Sequence, residues 1–231
     1  MPEQDSAADA ASTGFRNRGD DISRVEGFSD CAFGFAVTLL VVSLEVPRTF
    51  DGLLTVMRGI PSFAVSFSVL GWIWFTHYRF FRRYGLQDAP TVVLTLLLLF
   101  VVLCYVYPLK FLYAASLGAE SGTLTPAQLG ALFVVYGLGL ASVFAVLATM
   151  HVHAYRLRDR LGLNGLEVAE TRIAIAELLG VVAVSLLSCG VAMLPVPSAY
   201  VLAGMTYFLN LVVFTVGGRR RRIVRRRTAA A

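Results

Sequence analysis

The residues of this chain that could do chemistry are few, and most of them stand at the ends of apolar runs. Arg24, Phe28, Ser29 and Asp30 lead directly into a long apolar stretch that reaches Pro47. Ser29 or Asp30 could act as an N-cap, accepting backbone N–H groups left over at a helix start. Alternatively, Asp30 lies just inside a membrane boundary and is held by a group on another helix, since an unpaired carboxylate is costly there. Arg24 and His77 are the available partners, and the two readings can hold together. Glu45, near the far end of the same stretch, is either a solvated helix-end charge or a means of concentrating cations. Glu170 and Glu177 are seven residues apart and share one helical face; Glu177 lies inside an apolar run, with Arg172 or a residue of the preceding loop as its expected partner. His151 and His153 are two apart, so on a helix they point away from each other and do not make a metal site. There is no phosphate-binding glycine loop, no nucleophile with a base and no HExxH pattern, so no enzyme, cofactor or metal is expected. Such acids and histidines, scattered along apolar segments, suit the handling of ions or protons better than bond chemistry.

The elements that must position these groups follow from composition. Of 231 residues 57% are hydrophobic and 15% charged, with a mean hydropathy of +0.70. A soluble domain with a wetted surface is excluded, and an all-α polytopic membrane protein is expected. Six apolar segments can be delimited, at about 29–46, 53–81, 90–117, 127–155, 168–194 and 198–217, each near the length that crosses a bilayer. Pro108 should kink or finish the third, and Pro126 suits the first turn of the fourth. Arginine gathers before the first segment, between the second and third, between the fourth and fifth, and after the sixth. The positive-inside rule then places both termini in the cytoplasm. The aromatic run from Trp72 to Phe81 resembles an interfacial belt. Three units are expected: a disordered cytoplasmic arm at 1–22, a six-helix domain at 23–217 and a basic cytoplasmic tail at 218–231. A dense Arg run after a span reads as an anchor to anionic lipid head groups, with nucleic acid not expected as a partner. Cys31, Cys104 and Cys189 lie far apart in apolar runs and imply neither disulfides nor a metal cluster.

At ~100° per residue the first helix carries Phe35, Leu39 and Val42 as one narrow bulky stripe, with Asp30 roughly opposite and the small residues Ala32, Gly34 and Ala36 filling much of the rest. Small residues let neighbouring helices approach closely. This pattern suits a helix placed around an axis, and it also suits an ordinary helix of a bundle.

Arg24, Phe28, Ser29 and Asp30 match RxxxFSD, the signature of the endosomal and lysosomal potassium-channel family, whose prokaryotic members have one six-helix repeat and assemble as homotetramers. Ala36, Thr38, Leu39, Leu40, Glu45 and Pro47 resemble that family's continuation of the first helix. Trp74 to His77, followed by Phe80, resembles its second helix, and the proline of YVYPLKFL its third. The resemblance covers the first half of the chain well and the remainder by segment count.

The resemblance implies that first helices from four subunits surround a pore constricted by Phe35, Leu39 and Val42, with Thr38 beside them as a polar contact for a passing ion. Arg24, Phe28, Ser29 and Asp30, with Trp74 and His77, would tie the first helix to its neighbours without binding ions. An apolar ring closes a pore by dewetting and discriminates weakly, so a modest preference for potassium over sodium is expected, in a prokaryotic plasma membrane. Family members commonly carry Ile or Leu where this chain has Phe35, and four phenyl rings at one level would narrow the pore. A second reading is a secondary transporter, proton- or cation-coupled, that uses Asp30, His77 and Glu177 as a relay. Such transporters usually show internal repeats with broken helices, which the sequence does not display. A third is a structural membrane protein without flux.

Overall fold

In a computed structural model of the chain, the described residues are 15–19, 21–42, 49–116, 125–196 and 198–229, and helices are the only regular elements among them. They form α1 (Arg24–Val42), α2 (Phe50–Arg58), α3 (Ile60–Tyr84), α4 (Ala89–Ser116), α5 (Pro126–Arg156), α6 (Gly165–Ala192), α7 (Ala199–Thr206) and α8 (Leu209–Ala229). Ser43 to Arg48, including Glu45, lie outside the described residues, as does the side chain of Val42.

Local sequence explains where each helix begins. Ser23 and Glu26 form a reciprocal cap on α1: the Glu26 N–H donates to Ser23 Oγ at 3.2 Å, and the Ser23 N–H donates to Glu26 Oε2 at 3.2 Å. The expected N-cap at Ser29 or Asp30 is therefore corrected, because S-x-x-E caps the helix at Ser23, nearly two turns earlier, and leaves both residues inside it. α5 opens with Thr125 and Gln128 capping each other and with Pro126 in its first turn, as its spacing suggested. Asn164 and Glu167 do the same for α6. Asp88 caps the start of α4, its Oδ1 accepting the Thr91 N–H at 3.3 Å. It does not finish at Pro108 but continues to Ser116, so the missing donor is tolerated inside the helix. α3 stops at Gly85, whose φ of +58° gives the left-handed cap while its N–H donates to Phe81 O at 2.8 Å.

Among the described residues, Ala89–Phe111, Ala127–Arg156, Gly165–Ala192 and Ala199–Thr228 are long and apolar enough to cross a membrane. α1 carries Arg24, Glu26 and Asp30 in its first two turns, and α3 carries Thr76, His77 and Arg79 toward its end, which lowers their apolar character. α5 and α6 make the most extensive pairing, flanked by α4 on one side and by α7 and α8 on the other. α1 packs chiefly on α3 and α4. The close α5–α6 approach depends on Gly137, where a Cβ would lie 2.5 Å from Cys189 Sγ and 3.0 Å from Ser185 O.

One continuous core joins Phe33, Ala36 and Leu40 of α1 to Leu70, Ile73 and Phe80 of α3, Leu98 and Val102 of α4, Phe144 and Leu147 of α5, and Val181 of α6. Two expected boundaries differ from the observed ones. Residues 15–19, read as part of a disordered arm, are docked: the Arg18 N–H donates to Arg82 O at 3.0 Å, and the Phe15 ring meets Tyr84 edge-on at 5.5 Å. The basic tail is no separate unit in conformation, since α8 runs unbroken from Leu209 through Arg219–Arg222 to Ala229.

Candidate ion pathway and its supports

The first helix buries one face and leaves the other open. Ser29, Phe33, Ala36 and Leu40 are buried against α3 and α4, whereas Arg24, Phe28, Cys31, Phe35 and Thr38 are exposed along a single stripe. Phe35 is 58% exposed, as are Phe28 at 58% and Phe100 at 65%, and apolar rings exposed in this way call for a partner or lipid. Leu39 is half-buried at the margin of this stripe and packs on the core of its own protomer. The Thr38 hydroxyl donates to Gly34 O at 2.9 Å, so its oxygen lone pairs stay available on the open face.

The supports differ in part from those expected. Asp30 is held by Trp74, whose indole N–H donates to Oδ1 at 2.8 Å, and not by Arg24 or His77. The reason lies in the crossing of α1 and α3, which brings an indole donor to the carboxylate. Ser29 is buried and donates to Val25 O at 2.7 Å, so it packs α1 without bridging to another helix. His77 is buried between Phe33 and Phe81, with ring centroids 5.9 and 4.9 Å away. Arg24 is exposed and has no side-chain bond among the described residues.

Sequence reasoning missed an ion-pair cluster where α3, α6 and α8 meet the N-terminal segment. Glu167 is fully buried, and Arg18 embraces it with two bonds of 3.0 and 2.7 Å. The backbone N–H groups of Arg16 and Asn164 also donate to it, each at 3.0 Å. Every lone-pair region of this carboxylate is occupied, which is the condition for burying a charge. Glu170, also fully buried, takes Arg225 at 2.6 Å and Arg83 at 3.5 Å. Glu177 pairs with Arg221, so the expected pairing with Arg172 or the preceding loop is corrected: the partner comes from the basic tail, because α8 runs on as a helix beside α6. A legible signal was the spacing of Glu167, Glu170 and Glu177, which puts three acids on one side of an otherwise apolar helix.

His151 and His153 diverge as expected. His151 Nδ1 bonds Leu147 O at 2.8 Å under Phe80 and Tyr84, while His153 Nε2 meets Asp88 Oδ2 at 2.7 Å. Asp88 lies outside the spans. Partial burial raises its pKa, but hydrogen bonds from Thr91 and His153 outweigh that and hold the carboxyl below the usual range. Among the described residues, the cavity lined by Glu177 includes neither Asp30 nor His77, and the two acids are held by separate donors. Among the described residues no group of His, Cys, Asp and Glu is arranged to hold a metal ion.

A bundle of apolar helices with membrane length defines a multi-pass membrane protein; of its signature residues, Ser29 is buried on the packed face of α1 and Asp30 bonds Trp74 of α3, while Arg24 and Phe28 lie on the open face. The chain belongs to the endosomal/lysosomal potassium channel TMEM175 family. That family's model matches residues 24–105, which span α1 to the middle of α4. A relative from Marivirga tractuosa named "Potassium channel" is 38% identical over 221 residues, covering 89% of this chain and 90% of its own length. A Streptomyces collinus protein named "Potassium channel B446_29190" is 35% identical over 100 residues, covering 40% of this chain and 48% of that one. The crystal structure of the potassium channel MtTMEM175 T38A variant, bound to a nanobody–MBP fusion, superposes with a TM-score of 0.78 at 37% identity, covering 89% of this chain and 96% of the other. The structure of a lysosomal potassium-selective channel homologue from Chamaesiphon minutus shares the fold at a TM-score of 0.51 and 24% identity, over 81% and 96% of the two chains. A potassium channel family is not an enzyme class.

Proposed function

We propose that the protein is a potassium-permeable, modestly selective channel in which four copies bring α1 around a central axis. The observation that carries this reading is the open face of α1: Phe35 and Thr38 point away from their own bundle while the opposite face is fully packed. Six spans with both termini cytoplasmic fit the distribution of arginine, and the relatives' names support potassium as the ion.

On this reading Phe35 forms the principal apolar ring, and Leu39 contributes from the margin. Val42 would continue the same line by sequence position. Thr38 supplies a hydroxyl near the ring. With no oxygen-lined filter among the described residues, an ion passes when the ring wets, and potassium is favoured because it sheds water at lower cost than sodium. Asp30 and Trp74 act as a brace that sets the tilt of α1. The exposed arginines of α8, among them Arg219, Arg222 and Arg226, suit the anionic head groups of a prokaryotic plasma membrane.

The test is flux from liposomes under a potassium gradient, with sodium in competition, for the parent, Phe35→Ala and Leu39→Ala. Flux that rises, or loses its potassium preference, on trimming Phe35 is the expected result. Leu39→Ala should also lower the melting temperature, since that side chain is packed. Flux absent from all three proteins, or strictly coupled to a proton gradient, would sink the channel reading.

A further inference from the structure

A polar cavity of about 150 Å³ lies at the basic end of the bundle, away from the open face of α1. Arg79, Arg83, Arg221, Glu177, His151 and Thr76 line it, and Trp72 and Phe214, in edge contact at 5.4 Å, close one side. Charges around it do not balance. Four guanidiniums, from Arg79, Arg83, Arg221 and Arg225, meet only two carboxylates, Glu170 and Glu177. Arg79 is the one left over: its guanidinium sits 5.7 Å from the Phe75 ring centre and has no acid partner among the described residues. Arg221 is bonded to Glu177 through one terminal nitrogen, and its buried Nε, like the buried Glu177 Oε1, has no hydrogen-bond partner among the described residues. An unsatisfied buried donor and an unpaired cation beside two others are costly in a medium of low polarity, unless an anion joins them.

We propose that this cavity binds one phosphate-bearing anion, either free phosphate or the phosphomonoester head of an anionic lipid. The donors suit that chemistry. Guanidiniums present paired N–H groups that match phosphate oxygens, and three of them line one small space. His151 adds discrimination. Leu147 O can only accept, so Nδ1 carries the proton of that bond and Nε2 is left as an acceptor. A phosphate that retains a P–OH group can donate to such a nitrogen, whereas fully ionised sulfate cannot. The volume admits a tetrahedral oxyanion with a few waters. Occupation would fasten α3 to α6 and α8, because the lining arginines come from α3 and α8 and Glu177 from α6.

The experiment is a thermal unfolding series on the purified full-length protein with phosphate, sulfate or chloride at matched ionic strength. A parallel series uses phosphatidylcholine vesicles doped with phosphatidate or with phosphatidylglycerol. The expected result is a rise of roughly 2–4 °C once phosphate exceeds its dissociation constant a few-fold, with sulfate and chloride giving less. Stabilisation by soluble phosphate identifies the free anion as a ligand; stabilisation by phosphatidate alone identifies the lipid head. Arg79→Gln, which breaks no ion pair, should abolish the response, and Arg160→Gln, at an exposed arginine of the turn between α5 and α6 that does not line the cavity, should keep it. Equal shifts with phosphate, sulfate and chloride on the parent, with phosphatidate no better than phosphatidylglycerol, would overturn the proposal. So would equal responses from the two variants. The parent comparison decides the matter even if Arg79→Gln fails to fold.

Discussion

Two side chains concentrate the electrostatics of this bundle. Glu167 is buried with four donors around it, so removing its charge strands Arg18, whose side chain is itself 17% exposed. Glu167→Gln should cost roughly 3–5 kcal/mol, since the remaining charge loses its partner in a buried site. A melting temperature close to that of the parent would show that water reaches Arg18 freely. Asp88 makes a prediction in pH. Its folded pKa is depressed, so the stabilisation is present in full above the ordinary aspartate value near ~4 and is lost as pH falls through the lower folded value. Melting temperatures measured from pH 6 down to pH 2 should therefore decline in that acid window, and Asp88→Asn should remove this part of the decline. The same variant should cost about 1–3 kcal/mol at neutral pH, through the lost bonds to Thr91 and His153.

The helices are set by close approaches as much as by apolar faces. Gly85 is required twice, by its φ of +58° and by Arg18 O, which would lie 2.6 Å from an added Cβ. Gly85→Ala should destabilise by roughly 1–3 kcal/mol and loosen the segment at 15–19, visible as faster amide exchange there. Gly137→Ala forces α5 from α6, because one of the atoms it meets is backbone. Its melting temperature should fall while Gly218→Ala, with open space around it, leaves the value unchanged. α8 illustrates how an element outlasts its composition: the chain turns from apolar to arginine-rich at Arg219, yet the helix continues, because acids on α6 hold the first turns of the basic stretch.

For the whole molecule, the open stripe on α1 carries a prediction about assembly. Cys31 shares that stripe with Phe35 and is exposed, so around an axis its copies from adjacent protomers come close. With Cys104 and Cys189 replaced by Ala, a short bis-maleimide should link protomers through Cys31 into covalent dimers, the largest product that one thiol per protomer allows. Reaction with lipid-phase maleimides and no cross-linked dimer would place the stripe against lipid and remove α1 from the axis.

The sequence by itself determined a helical membrane protein and its family. Hydropathy and arginine placement depend on local composition, and RxxxFSD is a contiguous signature. Start signals such as S-x-x-E at Ser23 were legible for the same reason, although the apolar run drew the expected helix start to Ser29. Partnership was the part left to tertiary structure. That Asp30 takes an indole from α3, that Glu177 takes Arg221 from the tail and that Arg18 returns to seal Glu167 all depend on pairs 44 to 149 residues apart. Such pairings follow from how helices cross, and many arginines were available for each acid. The same holds for the open face of α1: periodicity draws a stripe on any amphiphilic helix, and only the packing of α3 and α4 against one side decides which stripe is left uncovered.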